Sequence, residues 1–323
     1  MSWGQALPAL RTRVYIDGYN LYYGCLNKTG FKWLDVLNLF ETRILPTILY
    51  RPSQDAEPAK MVLHQECAIK YFTAQIIESA AKGPDSVSSQ THYHNALSAH
   101  CGDKISFVMG YYNLQKSSQP VVCPEDPRRQ PRNCEKVQVW KLEEKQSDVN
   151  LALHLYDDAL SGEIDQVVLV TNDTDLAPAL AMLKMRCPHI VRGLVIPTRK
   201  SAAHGRHERH ANKALKDLAD WTRHNITDEE LRASQLPEVV QGPRRATIKP
   251  RSWYARPDHL AKMLEMALPV LGSEKKVMQW ARKECAHLGG RRPIDLIETD
   301  DGASEIFSYI ESYIRGQQGS IEG

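Results

Sequence analysis

The sequence predicts a three-layer α/β domain with a mainly parallel sheet, followed by a small all-α domain, and three observations carry that prediction. Apolar runs of strand length alternate with stretches of helical spacing from Val14 to Pro197, the pattern of parallel β-α-β units. One run, Val167 to Val170, is apolar at every position, so it reads as a strand buried on both faces. Beyond Pro257 the spacing is helical and broken only by glycine, proline and short polar stretches.

Taken in order, Val14 to Ile16 forms a short buried strand ending in Asp17, Gly18, Tyr19 and Asn20, which alone is also ordinary turn chemistry. Trp33 to Leu45 has helical spacing, and Cys67 to Ala74 is the next strand. A polar loop with Gly83 and Pro84 leads to a helix over about Gln90 to His100, and Lys104 to Asn113 is a third strand. Val121 to Lys136 is proline-rich, basic and aperiodic, and reads as an insertion loop near the substrate. A helix over about Glu143 to Leu160 places Val149, Leu151, Ala152, Leu153, Leu155, Tyr156 and Ala159 on one broad apolar face, with Asn150, His154, Asp157 and Asp158 opposite. Val167 to Val170 then runs into Asp173 and Asp175, and His189 to Pro197 is a further strand. The composition of Gly242 to Pro257 marks a linker.

In an open α/β sheet ligands bind at the carboxyl ends of strands. Asp17, Asp173 and Asp175 all fall there, and although one aspartate at a strand-to-helix junction serves as a cap, a cap does not need the second. Asp148 falls inside the apolar arc of its helix, where an acid must be paired, hydrogen-bonded or bound to a cation. Glu144, one turn earlier on the same side, is the lesser candidate, and a salt bridge from Asp148 to Lys145 is the structural alternative. Carboxylates within about 4 Å would repel by roughly 4 kcal/mol per pair at an effective dielectric of about 20. Such a cluster calls for a divalent cation, and its all-oxygen donors favour Mg²⁺ or Mn²⁺.

At 323 residues, with 42% hydrophobic and 25% charged residues, the chain has the composition of a globular protein with room for one large or two ordinary domains. No apolar run reaches the length of a membrane span, and the start lacks the layout of a signal peptide, so the expected location is the cytoplasm, with no membrane partner. Seven irregularly spaced cysteines point to reduced thiols. His92, His94, His100, Cys101, Cys123 and Cys134 lack the spacing of a zinc site. The net charge of +2 hides an asymmetry: from Asp258 onward there are 11 acids against 8 bases, so the preceding part is basic. Arg192 to Lys216 holds seven Lys or Arg, three His and one acid, Glu208, beside the acidic cluster, as a phosphodiester substrate requires. Arg192, Arg199, Lys200, Arg206 and Arg209 are the candidate phosphate contacts, while His204, His207 and His210 read as surface companions.

Three blocks in order, VYIDGYN, EEKQSDVNLA and VLVTNDTDLAPAL, resemble the signatures of the NYN domain, a branch of the PIN-like nuclease superfamily. The tail ELRASQLPEVV followed by IKPRSW is similar to the end of bacterial members, so the resemblance covers about Arg13 to Trp253. It implies a Rossmann-like fold and metal-dependent ribonuclease activity, with metal carried on Asp17, Asp148 and Asp173. Asp175 would complete the acidic set, and Asn20 would position Asp17 or a substrate phosphate.

Past the linker, Ser273 caps a helix with Val277, Trp280 and Ala281 inward, Pro293 opens a short one, and Ile306, Ile310 and Ile314 repeat at helical spacing in the last. Val270 to Gly316, with LGGRRPIDLI at its centre, resembles the toxin-binding domain of Xre, MbcA and ParS type antitoxins. That likeness implies pairing with a toxin or with a second copy. The expected division is residues 1–253 for the nuclease-like domain, 254–316 for the helical domain and 317–323 for a flexible tail. Two functions are expected: an RNA hydrolase whose helical domain dimerises or regulates it, or a toxin–antitoxin binding protein that holds RNA without cutting it.

Overall fold

The computed structural model describes residues 9–200 and 210–318. The chain divides into two units, one formed by Met1–Asn27 and Leu34–Ile248, the other by Lys28–Trp33 and Lys249–Gly323. Lys28–Trp33, which the sequence places within residues 1–253, groups with the second unit. The structure places Trp33 edge-on to Trp253, with centroids 6.2 Å apart, and a Cβ on Gly30 would lie 2.9 Å from Ala255.

The first unit is built on one sheet. Its strands are β1 (Leu10–Asp17), β2 (Met61–Leu63), β3 (Ile69–Gln75), β4 (Ile105–Pro120), β5 (Lys136–Lys145), β6 (Gln166–Val170), β7 (Val191–Val195) and, after the separate two-residue β8 (Arg199–Lys200), β9 (Trp221–Arg223). The order is β5-β4-β3-β1-β6-β7-β9, with β2 alongside the start of β1, and every pairing is parallel except β4 with β5. The chain moves outward from β1 through β3 and β4, then returns to lay β6 on the other side of β1. The switch in direction therefore falls between the carboxyl ends of β1 and β6, where open α/β sheets form their crevice. β6 and β7 are buried at every position, as expected of strands covered on both faces.

The helices of this unit are α1 (Gly18–Leu21), α2 (Val36–Asn38, continued by a π-helical turn to Ile44), α3 (Ser86–Cys101), α4 (Ser147–Leu160), α5 (Ala177–Arg186), α6 (Lys213–Lys216) and α7 (Asp228–Ala233). Leu151, Leu155 and Ala159 of α4 join Tyr15, Phe72, Val167, Leu169, Leu180 and Leu183 in one buried cluster. Each such leucine contributes roughly 1.5–3 kcal/mol relative to exposure.

Four expectations are corrected here. β5 runs through Lys145, so Glu143 and Glu144 lie on a strand and the helix begins only at Ser147. Gln146, at φ +74°, makes the turn between them. Val121 to Glu135 forms the tip between two paired strands, because β4 continues to Pro120 and meets Lys136 there. On α4 the core face is narrower than predicted: Val149 and Leu153 are exposed and Asp158 is buried. Asp158 can point inward because Arg13 Nη1 at 2.8 Å, Lys70 Nζ at 2.7 Å and the Tyr15 hydroxyl at 2.6 Å all converge on its carboxylate. The linker is also partly structured, since Thr247–Ile248 pairs antiparallel with Val239–Val240.

The second unit packs α8 (Pro257–Leu271), α9 (Glu274–Ala281), α10 (Pro293–Leu296) and α11 (Asp300–Gln318) around Leu260, Met263, Val277, Ala281, Ile294 and Ile306. Gly272, at φ +75°, ends α8, and the Ser273 hydroxyl accepts from the Lys276 N–H to start α9. Among the described residues no helix is long and apolar enough to cross a membrane.

Candidate active site

β1 delivers Asp17 to the carboxyl edge of the sheet, and the next residue has to be glycine. A Cβ on Gly18 would stand 2.6 Å from the Tyr71 ring and 2.7 Å from the Phe72 carbonyl. Asp17 is only 6% exposed. Its Oδ1 accepts from the Asn20 N–H at 2.9 Å, and its Oδ2 accepts from Asn20 Nδ2 at 2.6 Å and the Thr171 hydroxyl at 2.8 Å. Burial nevertheless raises its pKa above the ordinary aspartate value; these hydrogen bonds oppose the rise and the Glu144 charge adds to it.

Across the switch point, β6 is followed by Thr171, Asn172 and Asp173. The Asp173 N–H donates to the Thr171 hydroxyl at 3.1 Å, and Asp173 Oδ1 accepts from the Asp175 N–H at 3.0 Å. Asp173 therefore does cap the following turn, as the structural alternative held. Asp175 is exposed.

The third contribution comes from the base of the β4–β5 hairpin. Gly110 allows a close approach there: a Cβ would meet the Lys145 carbonyl and the Ser147 hydroxyl at 2.5 Å. Glu144 accepts from the Ser147 hydroxyl at 2.5 Å and from the Tyr112 hydroxyl at 3.4 Å. Burial raises the Glu144 pKa, and the Asp148 charge adds to the rise. Asp148 sits in the first turn of α4, open to solvent on one side. Its carboxyl is pushed up to about 6, first by partial loss of water and then by the charges of Asp17, Asp173 and Asp175; solvent on the open side screens part of that repulsion. Lys145 pairs at 2.6 Å with Glu143 rather than with Asp148.

This shift has a measurable consequence. A carboxyl whose folded pKa lies near 6, above its ordinary 3.8, contributes stability that is full below about pH 4 and is lost as pH rises through the folded value. Asp148→Asn should then melt at a higher temperature than the parent at pH 7, with the gap closing by pH 4. Equal melting temperatures at pH 7 would mean that the neighbouring carboxylates do not press on this group.

Glu144, Asp17, Asp148, Asp173 and Asp175 thus influence one another from three chain segments, and among the described residues none of them forms an ion pair with Lys or Arg. The all-oxygen chemistry of this set suits a hard cation such as Mg²⁺ or Mn²⁺. Among the described residues, however, no three His, Cys, Asp or Glu side chains are drawn together tightly enough to hold a metal ion. The donor types fit, and ligation would require the side chains of the exposed members to swing inward.

Comparison with known proteins bears on the same residues. Residues 11–220 match the NYN domain. The chain belongs to the NYN family. Residues 266–313 match the antitoxin Xre/MbcA/ParS C-terminal toxin-binding domain. The chain is also 47% identical over 309 residues, 96% of each chain, to 6-hydroxy-3-succinoylpyridine 3-monooxygenase HspA of Pseudomonas putida. Among solved structures, a protein of unknown function from Vibrio parahaemolyticus is 16% identical, covering 70% of this chain and 98% of its own, with a TM-score of 0.34, too loose a likeness to add to the fold.

The NYN unit treats the predicted basic residues differently from one another. Arg192 is corrected: it is 5% exposed at the amino end of β7, away from the acids, where Asp220 holds it at 2.6 Å and it donates to the carbonyls of Leu218 and Ile190. Its role is structural. Arg199 is half-buried against Asp228 at 2.9 Å, while Lys200 is exposed. Arg206 and Arg209, with His204 and His207, lie outside the described residues. The far end of that segment is tied to the site, since Asn172, next to Asp173, donates to the His210 carbonyl at 3.3 Å and accepts from the Asn212 N–H at 2.9 Å.

Several site residues escaped the sequence reading. Thr171 could have been noticed as the first polar residue after an unbroken apolar strand. Tyr112 had no sequence signal, because its link to Glu144 exists only across two paired strands. Tyr19 and Tyr23, four residues apart just after Asp17, are both exposed and lie 4.5 Å apart between ring centroids, with Lys82 Nζ 5.2 Å from the Tyr23 ring. The Glu144 and Asp17 charges both reach the Tyr19 hydroxyl, so this aromatic ledge adjoins the acids.

Proposed function

We propose that the NYN unit hydrolyses phosphodiester bonds of RNA. The observation that carries this reading is the grouping of Asp17, Asp148, Asp173, Asp175 and Glu144 around the switch point between β1 and β6, with no Lys or Arg among the described residues paired to any of them. When a divalent cation is bound, such a set neutralises phosphoryl charge and lowers the pKa of water. Asp17, Asp148, Asp173 and Asp175 would hold the Mg²⁺ or Mn²⁺. Thr171 and Asn20 fix the Asp17 carboxylate in one orientation. The test is cleavage of labelled single-stranded RNA by the purified chain with Mn²⁺ against EDTA; equal cleavage in both, or none in either, defeats the reading.

A second reading is favoured by the 47% identity to HspA across 96% of both chains. On that reading the site oxidises 6-hydroxy-3-succinoylpyridine or a related hydroxypyridine, and the Tyr19–Tyr23 ledge offers a surface for a flat ring. Incubating the chain with that compound, oxygen and a reduced nicotinamide decides between them. Consumption of the pyridine that Asp173→Asn abolishes, without RNA cleavage by the parent, would select oxidation.

For the helical unit, the match to a toxin-binding domain supports a protein partner, and we propose that it also pairs two copies of this chain. Ala267, Leu271, Trp280, Tyr309, Ile310 and Tyr313 line an apolar cleft of about 200 Å³, with Tyr313 47% exposed at its edge. A two-fold dimer buries the same apolar patch of each copy in one interface. Tyr313→Arg should yield a monomer by light scattering with unchanged helical content. A variant that stays dimeric would leave the cleft to a foreign toxin.

A further inference from the structure

The β4–β5 hairpin is more than a link to Asp148. From Tyr112 paired with Glu144 to Pro120 paired with Lys136, β4 and β5 pair only with each other among the described residues, as a two-stranded ribbon that leaves the sheet beside the acids. Such a ribbon has little core of its own, yet it keeps Trp140 66% exposed and Leu142 43% exposed. Contiguous exposed apolar side chains of this kind mark interaction surfaces.

Side chains alternate along each strand and directly paired residues share a face, so the register assigns the two faces. One carries Val137, Val139, Lys141, Glu143 and Lys145, and both of its lysines are already engaged by Glu143. The other begins at Tyr112 and Glu144 in the acidic site, passes Leu142, reaches Trp140 opposite Lys116, and ends at Lys136. Lys116 Nζ stands 5.5 Å from the Trp140 ring, and among the described residues neither Lys116 nor Lys136 forms an ion pair. From Glu144 to Trp140 is four residues, roughly 13 Å at the strand rise, the span of a few nucleotides.

We propose that this face is a track for single-stranded RNA, along which Trp140 stacks a base while Lys116 and Lys136 hold phosphates on the way to the acidic site. The proposal rests on the hydrolase reading for what happens at the end of the track. An exposed aromatic flanked by unpaired cations is the general device for holding a single strand, because every base has a face to stack and every linkage a charge. A double-stranded RNA does not suit it, since paired bases cannot reach the indole and the A-form major groove is too narrow to admit the ribbon.

The test is affinity for a short fluorescently labelled single-stranded RNA, measured by anisotropy in EDTA so that cleavage is silent. Trp140→Ala should bind about tenfold more weakly, the size of one lost stack. Lys116→Ala should lower the salt slope by about 0.7. Val139→Ala, on the opposite face, should bind as the parent does. Parent-like affinity in Trp140→Ala overturns the track. So does a parent that binds no single-stranded RNA, and light scattering of Trp140→Ala would then show whether the face belongs to a second copy. A parent that binds RNA through Trp140 but cuts none with Mn²⁺ would sink the hydrolase reading alone.

Discussion

Asp173→Asn is expected to reduce Mn²⁺-dependent RNA cleavage by roughly a thousandfold or more, the scale of losing several kcal/mol of charge stabilisation at a metal-assisted reaction. The substitution isolates charge from structure. Asparagine caps a helical turn as well as aspartate does, so the bond from the Asp175 N–H survives, and the melting temperature should stay close to the parent's. Asp17→Asn should abolish cleavage too, but less cleanly. Both Asp17 oxygens already accept hydrogen bonds, from Asn20 and Thr171, and an amide NH₂ in place of one of them would face a donor. Full cleavage by purified Asp173→Asn would assign the activity to another site or to a contaminant.

Asp158→Ala should cost about 3–5 kcal/mol of stability, the usual consequence of removing one partner of a buried ion pair. Arg13 and Lys70 both end on this carboxylate with side chains 4% and 12% exposed, and Tyr15 donates its hydroxyl to it. The acid's loss leaves the Lys70 charge without an ion pair in a buried setting, and leaves Arg13 with the solvent-facing Glu163 at 3.5 Å as its one carboxylate among the described residues, beside His64 Nδ1 and the Glu66 carbonyl. The network lies under the sheet rather than at its carboxyl edge, so any activity lost at low temperature should be small beside the fall in denaturant midpoint. An unchanged midpoint would mean that water enters and solvates the two cations.

Much of the site was legible because its residues sit at transitions between elements. Asp17 and Asp173 each follow an apolar strand, and a polar side chain at that point has only the carboxyl edge to occupy. Asp148 is legible for a reason the structure replaces: helical spacing puts it inside an apolar arc, whereas it lies exposed in the first turn of α4. The buried acid of that helix is Asp158, which periodicity placed outside. Hydrophobic spacing cannot show that a carboxylate will meet Arg13, Lys70 and Tyr15, three residues from two distant strands.

Arg192 failed in the opposite direction. Its place in a run rich in lysine and arginine suggested a phosphate contact, but a strand position is set by the sheet, and the amino end of β7 turns it toward Asp220. The ribbon was missed because its register is a pairing between residues up to 34 positions apart, from Tyr111 to Lys145, with a proline-rich tip between them that reads as loop.

By itself, the sequence determined the alternation of buried strands and covering helices, the aspartates at two strand ends and the separate helical unit, because these follow from local periodicity and breaker residues. Only the tertiary structure decided that β6 returns to lie beside β1, bringing Thr171 onto Asp17. It alone put Glu144 on a strand rather than a helix, facing Tyr112 and Ser147, and turned Trp140 outward on the face that leads to the acids. Those outcomes depend on strand order and register, which arise from contacts between distant segments that no local pattern encodes.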